Sequence, residues 1–280
     1  MTIKKILIPT DGTDYGKTAI EYGIYVARRL DAQLMGLHVL DVRLLQGPVF
    51  TDISGSVGLP QFQEFLPILE GGLDEKADAI LQAFKVRCED AGLQPEIKKV
   101  LGVIDETIID EAGNADWIIL AQRGEHFHLG SGGIIGSTAE SVVRKSGKPV
   151  MVTPETFREI ESMGLAYDGS SPADNALKLV VELYDHTSWP LTVIIITDDH
   201  EREVRLTQKV EEFLEPYNID SAIIILRGKE DREIVKFIRE GSVELMVMGA
   251  YGHNRLRELI LGSTTSYVIQ KSTIPVLLTR

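Results

Sequence analysis

Short apolar runs and longer amphipathic stretches alternate along this chain from end to end. Ile6-Leu7-Ile8, Ile118-Ile119-Leu120, Val193-Ile194-Ile195-Ile196 and Met246-Val247-Met248 lack polar alternation, as strands do when helices cover both faces of a parallel sheet. The stretches between such runs carry apolar residues at helical spacing. Ala19, Ile20, Gly23, Ile24 and Ala27 form one stripe, and Ala176, Leu177, Val180, Val181 and Tyr184 form its counterpart. The pattern predicts strands at 3–9, 33–40, 96–100, 117–120 and 149–152, with helices at 15–30, 73–91, 106–112 and 137–145. It then predicts strands at 165–167, 191–196, 222–226, 245–248 and 275–278, with helices at 174–186, 201–214, 230–239 and 263–271. This order implies an α/β fold with doubly wound parallel sheets.

The second series restates the first. Ile6-Leu7-Ile8-Pro9-Thr10-Asp11-Gly12 returns as Gly164-Leu165-Ala166-Tyr167-Asp168-Gly169-Ser170, and Pro149-Val150-Met151-Val152-Thr153 returns as Pro275-Val276-Leu277-Leu278-Thr279. A repeat this long gives each copy its own core, so two tandem Rossmann-like domains are expected at 1–154 and 160–280. The Glu-rich segment 153–163 reads as a linker short enough to keep the domains packed together. Ser171-Pro172-Ala173-Asp174 has capping-box spacing and marks a helix start. Val150-Met151-Val152 and Val276-Leu277-Leu278 would each leave an open apolar edge, and their mutual pairing would make an intramolecular pseudo-dimer.

The copies differ most at 41–72. Gly47-Pro48, Ser54-Gly55-Ser56, Gly58-Leu59-Pro60 and Pro67 read there as a long loop. Phe50, Phe62, Phe65, Leu66, Ile68 and Leu69 are expected to fold that loop over its own domain or across the interface between copies, with a lid or partner-docking surface as the alternative.

Composition narrows the function. With 280 residues, 44% hydrophobic and 25% charged, the chain can bury two ordinary cores. Its net charge of -13 opposes nonspecific binding to nucleic acid or an anionic membrane. Met1-Thr2-Ile3-Lys4-Lys5-Ile6 leads directly into a strand and no run of 18 apolar residues occurs, so a cytoplasmic location is expected. The single cysteine, Cys88, excludes an intrachain disulfide and a multi-cysteine metal site, and reads as a half-buried helix residue.

The candidate chemistry lies after the fourth strand of each copy. In the second, Gly249-Ala250-Tyr251-Gly252 is followed by nine residues and then by Gly262-Ser263-Thr264 at a helix start. Free backbone N–H groups and hydroxyls at a helix N-terminus favour an anion, so the pattern reads as a phosphate cradle. It is neither a Walker loop, which ends in Gly-Lys-Ser/Thr, nor the dinucleotide fingerprint, which follows the first strand. The first copy reads Ala121-Gln122-Arg123-Gly124, then eleven residues, then Gly136-Ser137-Thr138, with Gly130-Ser131-Gly132-Gly133 between.

These residues resemble those of tandem universal stress proteins, with two UspA-type domains in one chain. The likeness covers all but 41–72 and the linker. It implies an adenine nucleotide alpha hydrolase-like fold, with five-stranded sheets whose last strands meet, and ATP (or ADP or AMP) accompanied by Mg²⁺. The implied second-domain site is Asp168, Thr197, Met248, Gly249, Gly252, His253, Arg255, Gly262, Ser263 and Thr264, with Arg257 a further charge. The corresponding degenerate set is Asp11, Val39, Ala121, Arg123, Gly124, Gly136, Ser137 and Thr138. An aspartate ending the first strand can accept from ribose hydroxyls while the loop takes phosphates.

No nucleophile, base and orienting group come together, and no catalytic or metal-ligating set is assigned. His126 and His128 lack ligand partners at metal spacing, and Asp198-Asp199-His200-Glu201 reads as the acidic start of a helix. The expected function is that of a nucleotide-binding stress regulator with an unidentified protein partner and possible further self-association. The alternatives are a slow ATPase or adenylyl-transfer enzyme on the same scaffold, and a nucleotide-free interaction module.

Overall fold

The computed structural model describes residues 3–43, 61–125, 136–250 and 261–280. The first half runs β1 (Lys5–Pro9), α1 (Asp14–Leu30), β2 (Gln33–Asp41), α2 (Gln61–Asp90), β3 (Glu96–Gly102), α3 (Ile104–Ala112), β4 (Trp117–Ala121), α4 (Ser137–Lys145) and β5 (Val150–Thr153). The second runs β6 (Met163–Ala166), α5 (Ser171–Thr187), β7 (Leu191–Ile196), α6 (His200–Leu214), β8 (Ser221–Leu226), α7 (Glu230–Arg239), β9 (Leu245–Gly249), α8 (Ser263–Lys271) and β10 (Val276–Thr279).

The strands form one sheet in the order β3-β2-β1-β4-β5-β10-β9-β6-β7-β8. Pairing is parallel within each half and antiparallel where β5 meets β10. Val276 lies opposite Val152, Leu277 opposite Met151 and Leu278 opposite Val150, so the two halves share a ladder around a local two-fold. All six residues are buried. The expected pairing of the last strands is present, and it removes the edge each half would otherwise expose.

Two apolar layers sandwich the sheet, and each spans both domains. One includes Ile6, Ile20, Phe84, Leu177 and Leu206 from β1, α1, α2, α5 and α6. The other includes Leu37, Ile108, Val142, Ile234 and Val268 from β2, α3, α4, α7 and α8. The outer strands β3 and β8 are only partly covered, with Ile97, Leu101 and Ile224 exposed. Uninterrupted apolar burial therefore belongs to the inner strands.

Several sequence expectations change. Residues 61–72 are not loop: α2 begins at Gln61 and passes through Pro67. Proline costs a helix one backbone donor without forbidding the helix when the rest of the segment supports it. Ile68 in this stretch is 71% exposed, against the expected packing; Phe50 lies outside the described residues. Helix α5 is capped one residue earlier than the capping box implied, because the Ser170 hydroxyl accepts from Ala173 N at 3.3 Å. Asp174 is drawn instead to the Tyr167 hydroxyl at 2.6 Å and the Lys209 ammonium at 2.7 Å. Cys88 is wholly buried rather than half-buried, and burial pushes its thiol up to about 12.

The linker lies along α1. Thr18 Oγ1 donates to Glu155 O at 2.8 Å, Tyr22 Oη accepts from Arg158 N at 3.1 Å, and Tyr25 Oη donates to Ile160 O at 2.6 Å. These groups recur at three- and four-residue spacing, so one face of α1 holds the chain between the domains.

Candidate functional site

The carboxyl ends of β1, β2 and β4, the starts of α3 and α4, and Leu73 and Lys76 of α2 enclose a cavity of about 180 Å³. All eight first-domain candidates line it: Asp11, Val39, Ala121, Arg123, Gly124, Gly136, Ser137 and Thr138. Asp11 leaves the end of β1, where its Oδ1 accepts from Thr13 N at 3.0 Å and Thr13 Oγ1 at 2.7 Å. Its Oδ2 accepts from Glu125 N at 2.7 Å. A carboxylate has about four acceptor positions, so one remains for a ligand hydroxyl.

Helix α4 starts at Gly136 with no side-chain cap, unlike α1, where Thr13 Oγ1 accepts from Gly16 N. The first backbone N–H groups of a helix have no helical partners, and here they belong to Ser137, Thr138 and Ala139, which line the cavity. Arg123, suggested as a phosphate contact, is engaged elsewhere. Its Nη1 donates to Tyr15 Oη at 3.2 Å, and Tyr15 in turn donates to Glu155 Oε2 at 3.0 Å in the linker. Burial first, and then the Glu155 bond, raise the Tyr15 phenol above its ordinary value of 10.0, against the pull of Arg123.

In the second domain, Asp168 occupies the place of Asp11 and accepts from Ser170 N at 2.9 Å. Helix α8 again begins at an uncapped glycine, Gly262, followed by Ser263 and Thr264. Gly252, His253, Arg255 and Arg257 lie outside the described residues, as do His126, His128 and Gly130-Ser131-Gly132-Gly133 of the first loop.

The profile of the universal stress protein family matches residues 2–154 and again residues 159–280. The chain belongs to the universal stress protein family. Universal stress protein Slr1230 of Synechocystis is 30% identical over 285 residues, covering 98% of this chain and 99% of the relative. Universal stress protein MJ0577 of Methanocaldococcus jannaschii is 32% identical over 154 residues, 53% of this chain and 93% of its own. A universal stress protein structure from Archaeoglobus fulgidus superposes with a TM-score of 0.76 at 22% identity, over 99% of this chain and 96% of that one.

The strand-end glycine in the second domain of this universal stress protein has a steric reason. A Cβ on Gly249 would lie 2.8 Å from Pro172 Cβ and 2.9 Å from Ala173 N, so the first turn of α5 itself demands glycine there. In the first domain the equivalent strand residue is Ala121, and the helix residue equivalent to Ala173 is Gly16, each bonded to the cap one turn earlier. The atoms that crowd Gly249 are those of Pro172 and the backbone of Ala173, and Tyr15 stands at the place of Pro172 in the first domain. Gly262 differs, since among the described residues its Cβ would meet Thr265 Oγ1 at 3.7 Å and Ala250 O at 3.9 Å, both ordinary contacts.

The candidates Val39 and Thr197 are not equivalent positions. Thr10 N donates to Leu37 O and Tyr167 N to Ile194 O, so Val39 corresponds to Ile196 and Thr197 to Leu40. The Thr197 carbonyl is capped by the Arg227 guanidinium, which also pairs with Glu203. Met248 is buried in the core beside Leu278. Sequence reasoning missed His38, Asp41, Lys76, Gln122 and Glu125. The signal for His38 was a lone polar residue inside the run Leu34 to Leu40. Gln122 reaches the other domain, donating to Ile269 O, which no local pattern could reveal.

Proposed function

We propose that this protein is a regulatory adenine-nucleotide binder of the stress response, with one site at the sheet edge of each domain. The observation that carries it is the convergence of three unlike features on one first-domain cavity. These are the Asp11 carboxylate, the uncapped start of α4 and an apolar slot of Leu37, Val39, Leu40, Ile104 and Ile108. They suit a ribose hydroxyl, a phosphate and a base respectively.

The second domain supports the same assignment, because Asp168 and the uncapped Gly262-Ser263-Thr264 repeat it with unbroken glycine spacing. ATP, ADP or AMP would be held with phosphates on the starts of α4 and α8, and Mg²⁺ arriving with the nucleotide would offset the phosphate charge. Nucleotide state would then set the surface offered to a protein partner in the cytoplasm. Among the described residues, no helix is long and apolar enough to cross a membrane.

The test is the nucleotide retained by full-length protein purified without added ligand, identified by mass and counted per chain, followed by calorimetric titration with ATP. Retained or titrated adenine nucleotide supports the assignment. Rapid metal-dependent hydrolysis would replace it with the ATPase alternative, and no binding at either site would leave the interaction module.

A further inference from the structure

His38 is 8% exposed, sits in the otherwise apolar run Leu34 to Leu40 of β2 and lines the first-domain cavity. Its Nδ1 lies 2.7 Å from the Thr10 carbonyl oxygen. A carbonyl only accepts, so Nδ1 carries the proton, and in the neutral ring Nε2 is left as an acceptor. Among the described residues nothing donates to that nitrogen. The backbone register makes Ile195 its equivalent in the second domain, where the side chain is wholly buried and apolar. The first site therefore has a polar group on its wall that the second lacks.

Strand order sets what this group would meet. The sheet runs β2-β1-β4, and neighbouring strands are about 4.8 Å apart, so β2 and β4 are separated by roughly 10 Å. A phosphate at the start of α4, beyond β4, and a sugar at Asp11, beyond β1, extend the base toward β2. That span matches a nucleoside lying across the strand ends.

We propose that His38 is a specificity-determining residue of the first site, accepting a hydrogen bond at Nε2 from an amino group on the base edge. A base with an oxo group at that position sets acceptor against acceptor and is disfavoured. The first site then prefers adenine to guanine nucleotides, whereas Ile195 gives the second site no such selection at this position. This inference rests on the nucleotide assignment above.

The test uses full-length protein labelled with ¹⁵N and titrated with ATP or GTP. The imidazole resonances of His38 are assigned through their contacts to Thr10 and by their loss in His38→Gln. ATP is expected to move the His38 Nε2 resonance while GTP does not. His38→Ile, which installs the second-domain residue, is expected to reduce the ATP-to-GTP affinity ratio at the first site by roughly ten-fold to a hundred-fold. Backbone amides of Ser137 and Thr138 report occupancy independently. If they respond to ATP while His38 Nε2 does not, the His38 assignment falls and the nucleotide assignment stands. An unchanged ratio in folded His38→Ile has the same consequence. If neither nucleotide perturbs those amides, both assignments fall for this site.

Discussion

The Tyr25 hydroxyl bonds both backbone groups of Ile160, donating to its carbonyl at 2.6 Å and accepting from its amide at 3.0 Å. Ile160 is wholly buried, so no solvent stands ready to replace this partner. The Tyr25 ring also stacks on Trp189 of the second domain, with centroids 6.3 Å apart and planes inclined by 11°. One side chain of α1 thus engages the linker and the second domain. Burial raises the Tyr25 phenol above its ordinary value, which keeps it a donor across the working range of pH. Tyr25→Phe should cost about 1–3 kcal/mol by leaving two buried backbone groups unpaired. Urea denaturation gives the measurement, and an unchanged midpoint would mean that water enters to satisfy Ile160.

Pairing of Leu277 with Met151 at the centre of the sheet makes the domain junction part of the core. Leu277→Pro removes a backbone donor and inserts a ring into a strand paired on both sides. The expected loss is about 3 kcal/mol or more, with faster proteolysis in the linker. Equal stability and equal proteolysis rates would show that the halves hold together without this ladder.

Gly262 and Gly249 should respond oppositely to added bulk. Among the described residues a Cβ at Gly262 meets ordinary contacts, so Gly262→Ala and Gly262→Val should fold while crowding the start of α8 and weakening ATP binding. A Cβ at Gly249 meets backbone at 2.9 Å, so Gly249→Ala should lower the melting temperature. Calorimetry and thermal unfolding on both variants separate ligand approach from packing. Unchanged ATP affinity and stoichiometry in folded Gly262→Val would remove the second-domain site.

Asp105 on α3 accepts from Ser141 at 2.6 Å and Lys145 at 2.7 Å on α4. Burial pushes its carboxyl upward, but the Lys145 and Ser141 bonds and the Lys145 charge outweigh that, holding it below the ordinary 3.8. A depressed folded value means that the contribution to stability is present above pH 3.8 and is lost as the pH falls through the folded value. Because the pair is partly exposed, about 1 kcal/mol or less is expected. Asp105→Asn should be less stable than the parent at pH 7, and the two should converge in acid below 3.8. Urea unfolding across that range checks the sign.

Much of the fold was legible because strand and helix periodicities are local. The predicted limits of β7, α4, α7 and α8 coincide with the observed ones, and other inner elements shift by only a few residues. Pairing of β5 with β10 followed from two short apolar edges that required cover. The part of α2 from Gln61 to Gly72 was hidden because Pro67 reads locally as a breaker, whereas the rest of the helix, expected from residue 73, is also held by distant contacts through Lys76 to Glu125 and Arg87 to Glu21.

By itself, the sequence determined the repeat, the alternating architecture, the two aspartates at strand ends and the uncapped glycines before α4 and α8, because each is written in adjacent or evenly spaced residues. Only the tertiary structure decided which atoms those residues meet. Gly249 is demanded by Ala173, Arg123 is drawn to Tyr15, and His38 is oriented by Thr10, all partners distant in sequence. The physical reason is that side-chain commitment depends on three-dimensional neighbours, which chain folding brings together and local periodicity does not encode.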